Sequence, residues 1–310
     1  MGKATREAYG NALARIGKEN TNIVVLDADL SKSTKTDTFK KDNSNRFFNV
    51  GIAEQNLISV GAGLAAAGKI PFVSSFAMFA TGRAFEQIRN AVCYPKLNVK
   101  ICATHAGITV GEDGATHQSL EDIACMRVLS NMTVIVPADE RETEAVIEWA
   151  AQYEGPVYVR LGRASVDDVM PEGYTFTPGT STILQEGPDA TIIACGALVG
   201  PALEAAKELN NNGIACTVVN MASIKPIDAE AIVKAATTTG AIVTAEEHNV
   251  LGGLGSAVAE VVAANHPVPM EFVGVKDTFG ESGTPNELMA KYGLTAAHIV
   301  EAVKRVVTRK

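Results

Sequence analysis

Short, mainly apolar runs that alternate with helix-periodic segments constrain this chain more than any other feature. In the first half, Asn22–Leu26, Phe72–Ser74, Val99–Ala103, Thr133–Val136 and Val157–Arg160 read as buried strands. Helical patterns fall around them at Thr5–Gly17, Glu54–Ala67, Gly82–Val92, Glu121–Leu129 and Glu140–Tyr153. Strands without a polar face belong to parallel sheets covered on both sides, and each parallel step needs a crossover helix. Asp139, two residues after Pro137, is placed to cap the helix that follows it. From Arg163 to about Pro188 the rhythm breaks at Pro171, Gly173, Pro178, Gly179, Gly187 and Pro188, which predicts a connection with one short strand. A second series then begins. Its strands are Ala190–Ala194, Ile214–Asn220, Ala241–Glu246 and Met270–Val275; its helices are Gly200–Asn210, Asp228–Thr237, a segment ending at Ala264, and Ala296–Val307. The expected fold class is α/β, with two α/β domains built on mainly parallel sheets. They are expected over residues 1–165 and 189–310, with a linker over 166–188. A length of 310 residues suits two domains of about 150 each.

Charge and cysteine content narrow the function. Lys and Arg total 27 against 35 Asp and Glu, for a net charge of −8, which disfavours nucleic acid and anionic membrane surfaces as partners. The five cysteines (Cys93, Cys102, Cys125, Cys195, Cys216) form no C-x-x-C pair, and most sit in apolar runs, as buried reduced thiols of a cytoplasmic protein would. No apolar run reaches the roughly 18 residues of a membrane span, and Met1–Asn11 lacks a signal-peptide core. A cytoplasmic protein without membrane contact is expected.

Four runs carry residues suited to chemistry. In Asn49-Val-Gly-Ile-Ala-Glu54-Gln-Asn, a carboxylate opens a helix rich in Gly and Ala. Glu54 there either favours the positive helix end, or sits in a dry site with a raised pKa and exchanges a proton with a bound ring nitrogen. In Ser74-Ser-Phe76-Ala-Met-Phe79-Ala-Thr-Gly-Arg83, two aromatics three apart share a face if helical, as core or against a flat heteroaromatic cofactor. Thr104-His105 through Asp113 to His117-Gln118 follows a strand and holds two of the five histidines in a loop of little apolar content. Open α/β sheets bind ligands at that edge. Close His/Cys spacing for zinc is lacking. Arg160-Leu-Gly-Arg163 ends another strand, where an arginine is either a solvated charge or a bidentate phosphate clamp. The turn Gly252-Gly-Leu-Gly255 lacks the spacing of a dinucleotide site.

Taken together, Ala28-Asp29-Leu30, Gly51-Ile-Ala-Glu54-Gln, Phe76 with Phe79, and Gly111-Glu-Asp-Gly-Ala-Thr-His117-Gln resemble the C-terminal half of transketolase. The resemblance runs from Ala4-Thr-Arg6 to the terminal helix and implies a thiamine diphosphate pyrimidine-binding fold followed by a transketolase C-terminal-like domain. It implies transfer of a two-carbon ketol unit from a ketose phosphate to an aldose phosphate, as in the pentose phosphate pathway. It also implies that Glu54 shares a proton with the aminopyrimidine of thiamine diphosphate, that Phe76 and Phe79 flank that ring, and that Asp29 approaches the cofactor across a dimer interface. His117 matches a histidine near the reacting carbon, suited to proton transfer, and Asp113 a residue that binds a substrate hydroxyl. Arg6, Ser33, His105 and Arg163 match positions that grip the sugar phosphate.

Two departures from the family pattern stand out. Gly82 lies where a third aromatic is common, so packing around the pyrimidine is incomplete or otherwise supplied. The diphosphate- and metal-binding pattern, which opens Gly-Asp-Gly and closes on an Asn pair, is missing, and Gly111-Glu-Asp-Gly114 does not replace it. Mg²⁺ or Ca²⁺ is therefore expected on a partner, with no metal ligand here. With Met1 directly before the pyrimidine-binding domain, the chain looks like one subunit of a split enzyme. It would work with an N-terminal transketolase subunit in an α2β2 heterotetramer, or form a homodimer of its own. Competing readings are the β subunit of a thiamine-dependent 2-oxoacid dehydrogenase, a 1-deoxyxylulose 5-phosphate synthase-like fragment, and a non-catalytic binding homologue. The last would be free to lose Glu54 or His117.

Overall fold

The computed structural model describes residues 2–310. Its strands are β1 (Ile23–Asp27), β2 (Phe47–Asn49), β3 (Ile70–Ser74), β4 (Lys100–Ala103), β5 (Thr133–Ile135), β6 (Val157–Arg160), β7 (Thr182–Pro188), β8 (Ala190–Ala194), β9 (Cys216–Asn220), β10 (Ser223–Lys225), β11 (Ile242–Asn249) and β12 (Met270–Val275). They form two sheets, ordered β10-β5-β6-β4-β3-β1-β2 and β12-β11-β8-β9-β7. Every ladder is parallel except the two at the sheet edges, β10 with β5 and β7 with β9. The architecture is two α/β units on mostly parallel sheets.

Burial explains the parallel sheets. All five β1 residues are buried, so neither face of the strand meets water. Alternate residues serve opposite faces. Ile23 and Val25 join Tyr9, Leu13, Val157 and Val159 in one core, whereas Val24 and Leu26 join Leu57, Ile58 and Val73 in another. The second of these cores continues into the other sheet through Ile193, Val219 and Ile242, and onto the helix residue Leu254. The helix Glu54–Ala66 lies close to β3 because Gly61 has no side chain; a Cβ there would stand 2.8 Å from Val73 Cγ1.

Local elements depart from the sequence reading where tertiary contacts override periodicity. β2 has three residues with only Phe47 buried, too few to show a pattern. β10 lies in the second half of the chain yet adds an antiparallel edge to the first sheet, pairing Ser223 with Ile135. The helix expected over Gly82–Val92 begins earlier, with π-helical turns at Met78–Arg83 and Ile88–Cys93 on either side of Phe85–Gln87. A 3₁₀ segment at Ile108–Asp113 and a helix at Pro285–Lys291, capped by Thr284 and Glu287, lay outside the expected elements. Asp139 does cap its helix, accepting from Glu142 N at 2.9 Å, and its other oxygen takes the amides of Val169 and Met170. The cysteines are free thiols, four of them buried.

Arg160 corrects a sequence expectation, being neither a solvated charge nor a phosphate clamp. Its side chain is only 6% exposed. Nε donates to Asp122 at 2.8 Å and Nη2 donates to the Glu247 carbonyl of β11 at 2.8 Å, so it ties the two sheets together. A buried charge needs such partners, because removing one strands the other in an apolar interior. Glu247 in turn accepts from Thr109 N at 2.7 Å. Gly107, at φ +84°, makes room for that carboxylate, since a Cβ would lie 2.2 Å from Glu247 Oε1. The Gly252–Gly255 turn faces a carboxylate of its own chain, with Glu246 accepting from the amides of Leu254 and Gly255 at 2.7 and 2.8 Å.

Candidate functional site

Parallel strands send their carboxyl ends to one edge, and the sequence-selected residues follow those ends. Asp29 comes after β1, Glu54 after β2, Phe76 after β3, His105 after β4 and Arg163 after β6. Seven of the selected residues and one unselected arginine form a continuous chain of contacts.

Glu54 is the first residue of its helix and is 4% exposed. Its two carboxylate oxygens lie 3.3 and 3.2 Å from Arg83 Nη1. The Arg83 guanidinium lies over the Phe79 ring, 4.3 Å from the centroid. Phe79 meets His117 edge-on at 5.1 Å and runs nearly parallel to Phe76 at 6.0 Å. Phe76 stacks on His105 with centroids 3.8 Å apart. A tight turn, with Phe79 N donating to Phe76 O at 3.0 Å, leads into the π-helical segment Met78–Arg83 that carries both Phe79 and Arg83. Such π-turns recur at functional sites.

His105 is 3% exposed and has a left-handed backbone at φ +55°, an unusual conformation for a residue with a Cβ. Arg6 Nη1 approaches its Nε2 at 3.3 Å, and Thr104 Oγ1 lies 2.9 Å from Nδ1. An arginine N–H only donates, so Nε2 accepts and Nδ1 carries the proton toward Thr104. Burial, then the nearby charges of Arg6 and Arg163, push the His105 pKa down to about 3. The imidazole is therefore a neutral link that orients Arg6. With the folded value depressed below the unfolded one, this group stabilises the fold above pH about 6.5, and that contribution is lost as pH falls toward about 3. Nitrogen NMR of the ring should show one neutral tautomer from pH 8 down to 5; a titration centred near 6.5 would overturn this assignment.

Arg6 also donates to the Ser33 carbonyl at 3.0 Å, so Ser33 enters through its backbone, and Arg6 Nε is buried with no partner among the described residues. Arg163 donates to Glu112 at 2.8 Å and to the Val110 carbonyl. His117 is half-buried, with Nδ1 2.9 Å from Thr116 Oγ1. Asp113 is exposed, with no side-chain hydrogen bond or ion pair among the described residues. Asp29, also exposed, is held by Asn49 Nδ2 at 2.8 Å with φ +66°. These two aspartates and Arg163 stand apart from the contact chain. Sequence reasoning missed Arg83 and Glu112 as partners of Glu54 and Arg163. Arg83 closed the run that contains Phe76 and Phe79, and its spacing of four from Phe79 was the available signal. The loop is tied to the second unit by Gln118, whose Nε2 donates to Glu281 O at 2.9 Å. Among the described residues, no group of three or more His, Cys, Asp or Glu side chains is placed to hold a metal ion. No helix there is long and apolar enough to cross a membrane.

Comparison with known proteins gives two family matches: the transketolase pyrimidine binding domain over residues 1–168, and the transketolase C-terminal domain over residues 179–299. A putative transketolase C-terminal section from Methanocaldococcus jannaschii is 52% identical over 304 residues, covering 97% of this chain and 95% of that protein. The 6-deoxy-6-sulfo-D-fructose transketolase subunit SqwH of Clostridium sp. strain MSTE9 is 44% identical, covering 98% and 95%. Among solved structures, one described as a split gene transketolase, inactive beta4 tetramer, superposes with a TM-score of 0.94 at 60% identity and covers all of both chains.

Proposed function

This chain belongs to the transketolase family, and from that premise we propose that it is the C-terminal subunit of a split transketolase. The family depends on thiamine diphosphate. In this reading the pyrimidine-binding domain spans residues 1–165 and the C-terminal domain spans 189–310, with 166–188 as linker. The active site is shared with an N-terminal subunit that binds the diphosphate and its Mg²⁺ or Ca²⁺. The observation that carries the proposal is the unbroken contact chain from Glu54 through Phe79 and His117 to Phe76, His105 and Arg6. Its fit to an aminopyrimidine is supported by Arg83, a flat N–H donor that already lies on Phe79 and against Glu54. Placing the diphosphate and its metal on the partner is supported by the lack of a Gly-Asp-Gly opening in this sequence.

Thiamine diphosphate, when bound, supplies the stabilised carbanion chemistry that takes up and releases a two-carbon unit. Glu54 would hold a proton at the ring nitrogen, Phe76 and Phe79 would enclose the ring, and Asp29 would approach it across the subunit boundary. With Nδ1 engaged by Thr116, His117 keeps Nε2 to hold or move a proton at the substrate oxygen. Asp113 would bind a substrate hydroxyl, and Arg6 with Arg163 would neutralise the sugar phosphate. Ser33 and His105 would fix Arg6 in place, the neutral His105 adding no charge of its own. Apolar residues beside the site support a protein partner: Ile52 is 75% exposed, Phe48 41% and Val60 37%. An α2β2 assembly is the simplest arrangement that covers them.

The test is an assay of the assembled complex. Xylulose 5-phosphate with ribose 5-phosphate should turn over, and pyruvate with an electron acceptor should not, which separates this reading from a 2-oxoacid dehydrogenase. Arg163→Ala should lower kcat/KM for phosphorylated sugars by roughly 10- to 100-fold, as expected for loss of a charge-assisted contact. An equal loss with an unphosphorylated ketose would remove Arg163 from the phosphate site.

A further inference from the structure

Arg83 makes two contacts that a surface arginine does not need. It pairs with a carboxylate that is 4% exposed, although its own side chain is 53% exposed, and its guanidinium lies on Phe79. The group over Phe79 is therefore flat, cationic and N–H donating. Under the function proposed above, the aminopyrimidine would be flat, lie among Phe76 and Phe79, and meet Glu54 at a ring nitrogen that shares its proton. Both cannot occupy one place. We propose that Arg83 is a placeholder for the aminopyrimidine, which must displace it from Glu54 and Phe79 before the cofactor seats.

The energetics suit a placeholder better than a permanent ion pair. Distances of 3.2 and 3.3 Å are longer than the 2.7–2.9 Å typical of tight charge-assisted bonds. Half-exposed pairs and exposed cation–π contacts are weak, and a released guanidinium regains water. Gly82 beside it is exposed and has no side chain to block the outward swing. Before the cofactor binds, by contrast, Glu54 without Arg83 would be a buried carboxyl with no partner. The contact thus gives Glu54 a partner before the cofactor binds and yields to a better-fitting ring.

The inference rests on the assignment of Glu54 and Phe79 to the pyrimidine, so the experiment tests both. Thiamine diphosphate binding is measured calorimetrically on the apo complex of this chain with its diphosphate-binding partner. Arg83→Ala should bind the cofactor roughly tenfold tighter, because the seat no longer has to be cleared. Arg83→Lys, which keeps the charge but cannot lie flat on the ring, should fall between. Combined with Glu54→Gln, Arg83→Ala should have less effect, because the two side chains are then no longer an ion pair. Unchanged or weaker binding by Arg83→Ala, while Glu54→Gln alone weakens binding, overturns the placeholder and leaves the Glu54 assignment standing. Binding that is insensitive to Glu54→Gln overturns both.

Discussion

Supplied with thiamine diphosphate, Mg²⁺, xylulose 5-phosphate and ribose 5-phosphate, this chain alone should show no ketol transfer. The expectation follows from what its residues can hold. Mg²⁺ requires several oxygen ligands beside the diphosphate, and the sequence has no Gly-Asp-Gly opening, so its one Asn run, Asn210–Asn212, does not close the pattern that would supply them. A ring resting on Phe79 and Glu54 without an anchored diphosphate would lose the fixed geometry that makes the reaction effectively intramolecular. That loss places the lone chain at least about a thousandfold below the assembled enzyme. Adding the diphosphate-binding partner should restore turnover in proportion to complex formation, followed by sedimentation and by the coupled assay on the same samples. Robust turnover by the chain alone would refute the split arrangement.

Glu54→Gln in the assembled enzyme should slow hydrogen–deuterium exchange at the cofactor C2 by roughly 100- to 10,000-fold, the range for removing a general acid–base group. Gln keeps the volume and can still accept from Arg83, so the thermal midpoint of the chain should move little. What it lacks is an ionisable proton to pass to a ring nitrogen. A comparable loss in ketol transfer should accompany the exchange defect, because both need the same proton held at the same atom. Unchanged C2 exchange would leave Glu54 as a residue that merely favours the positive end of its helix, a reading the sequence also allowed.

The site was legible in sequence wherever chemistry and local order coincide. Phe76, His105 and Arg163 each follow an apolar run that became a parallel strand, and the sheet gathered them at one edge. Arg160 was misjudged because a charged residue at a strand end looks solvated until the second sheet covers it; its partners Asp122 and Glu247 lie 38 and 87 residues away in sequence. Asp29 and Asp113 carry the right chemistry in the right runs, yet stand exposed outside the contact chain.

By itself the sequence determined the two-unit α/β class, since apolar runs of this length are stable only when covered on both faces, and it marked the loops where polar groups would gather. Tertiary structure alone decided which charges are neutralised. The Arg83–Glu54 pair spans 29 residues and the Arg6–His105 contact spans 99. It also decided that β10 returns to the first sheet and that His105 stays uncharged. Periodicity reports which face of an element is buried. Side chains far apart in sequence are brought face to face by the twist and stacking of sheets, which no local pattern encodes.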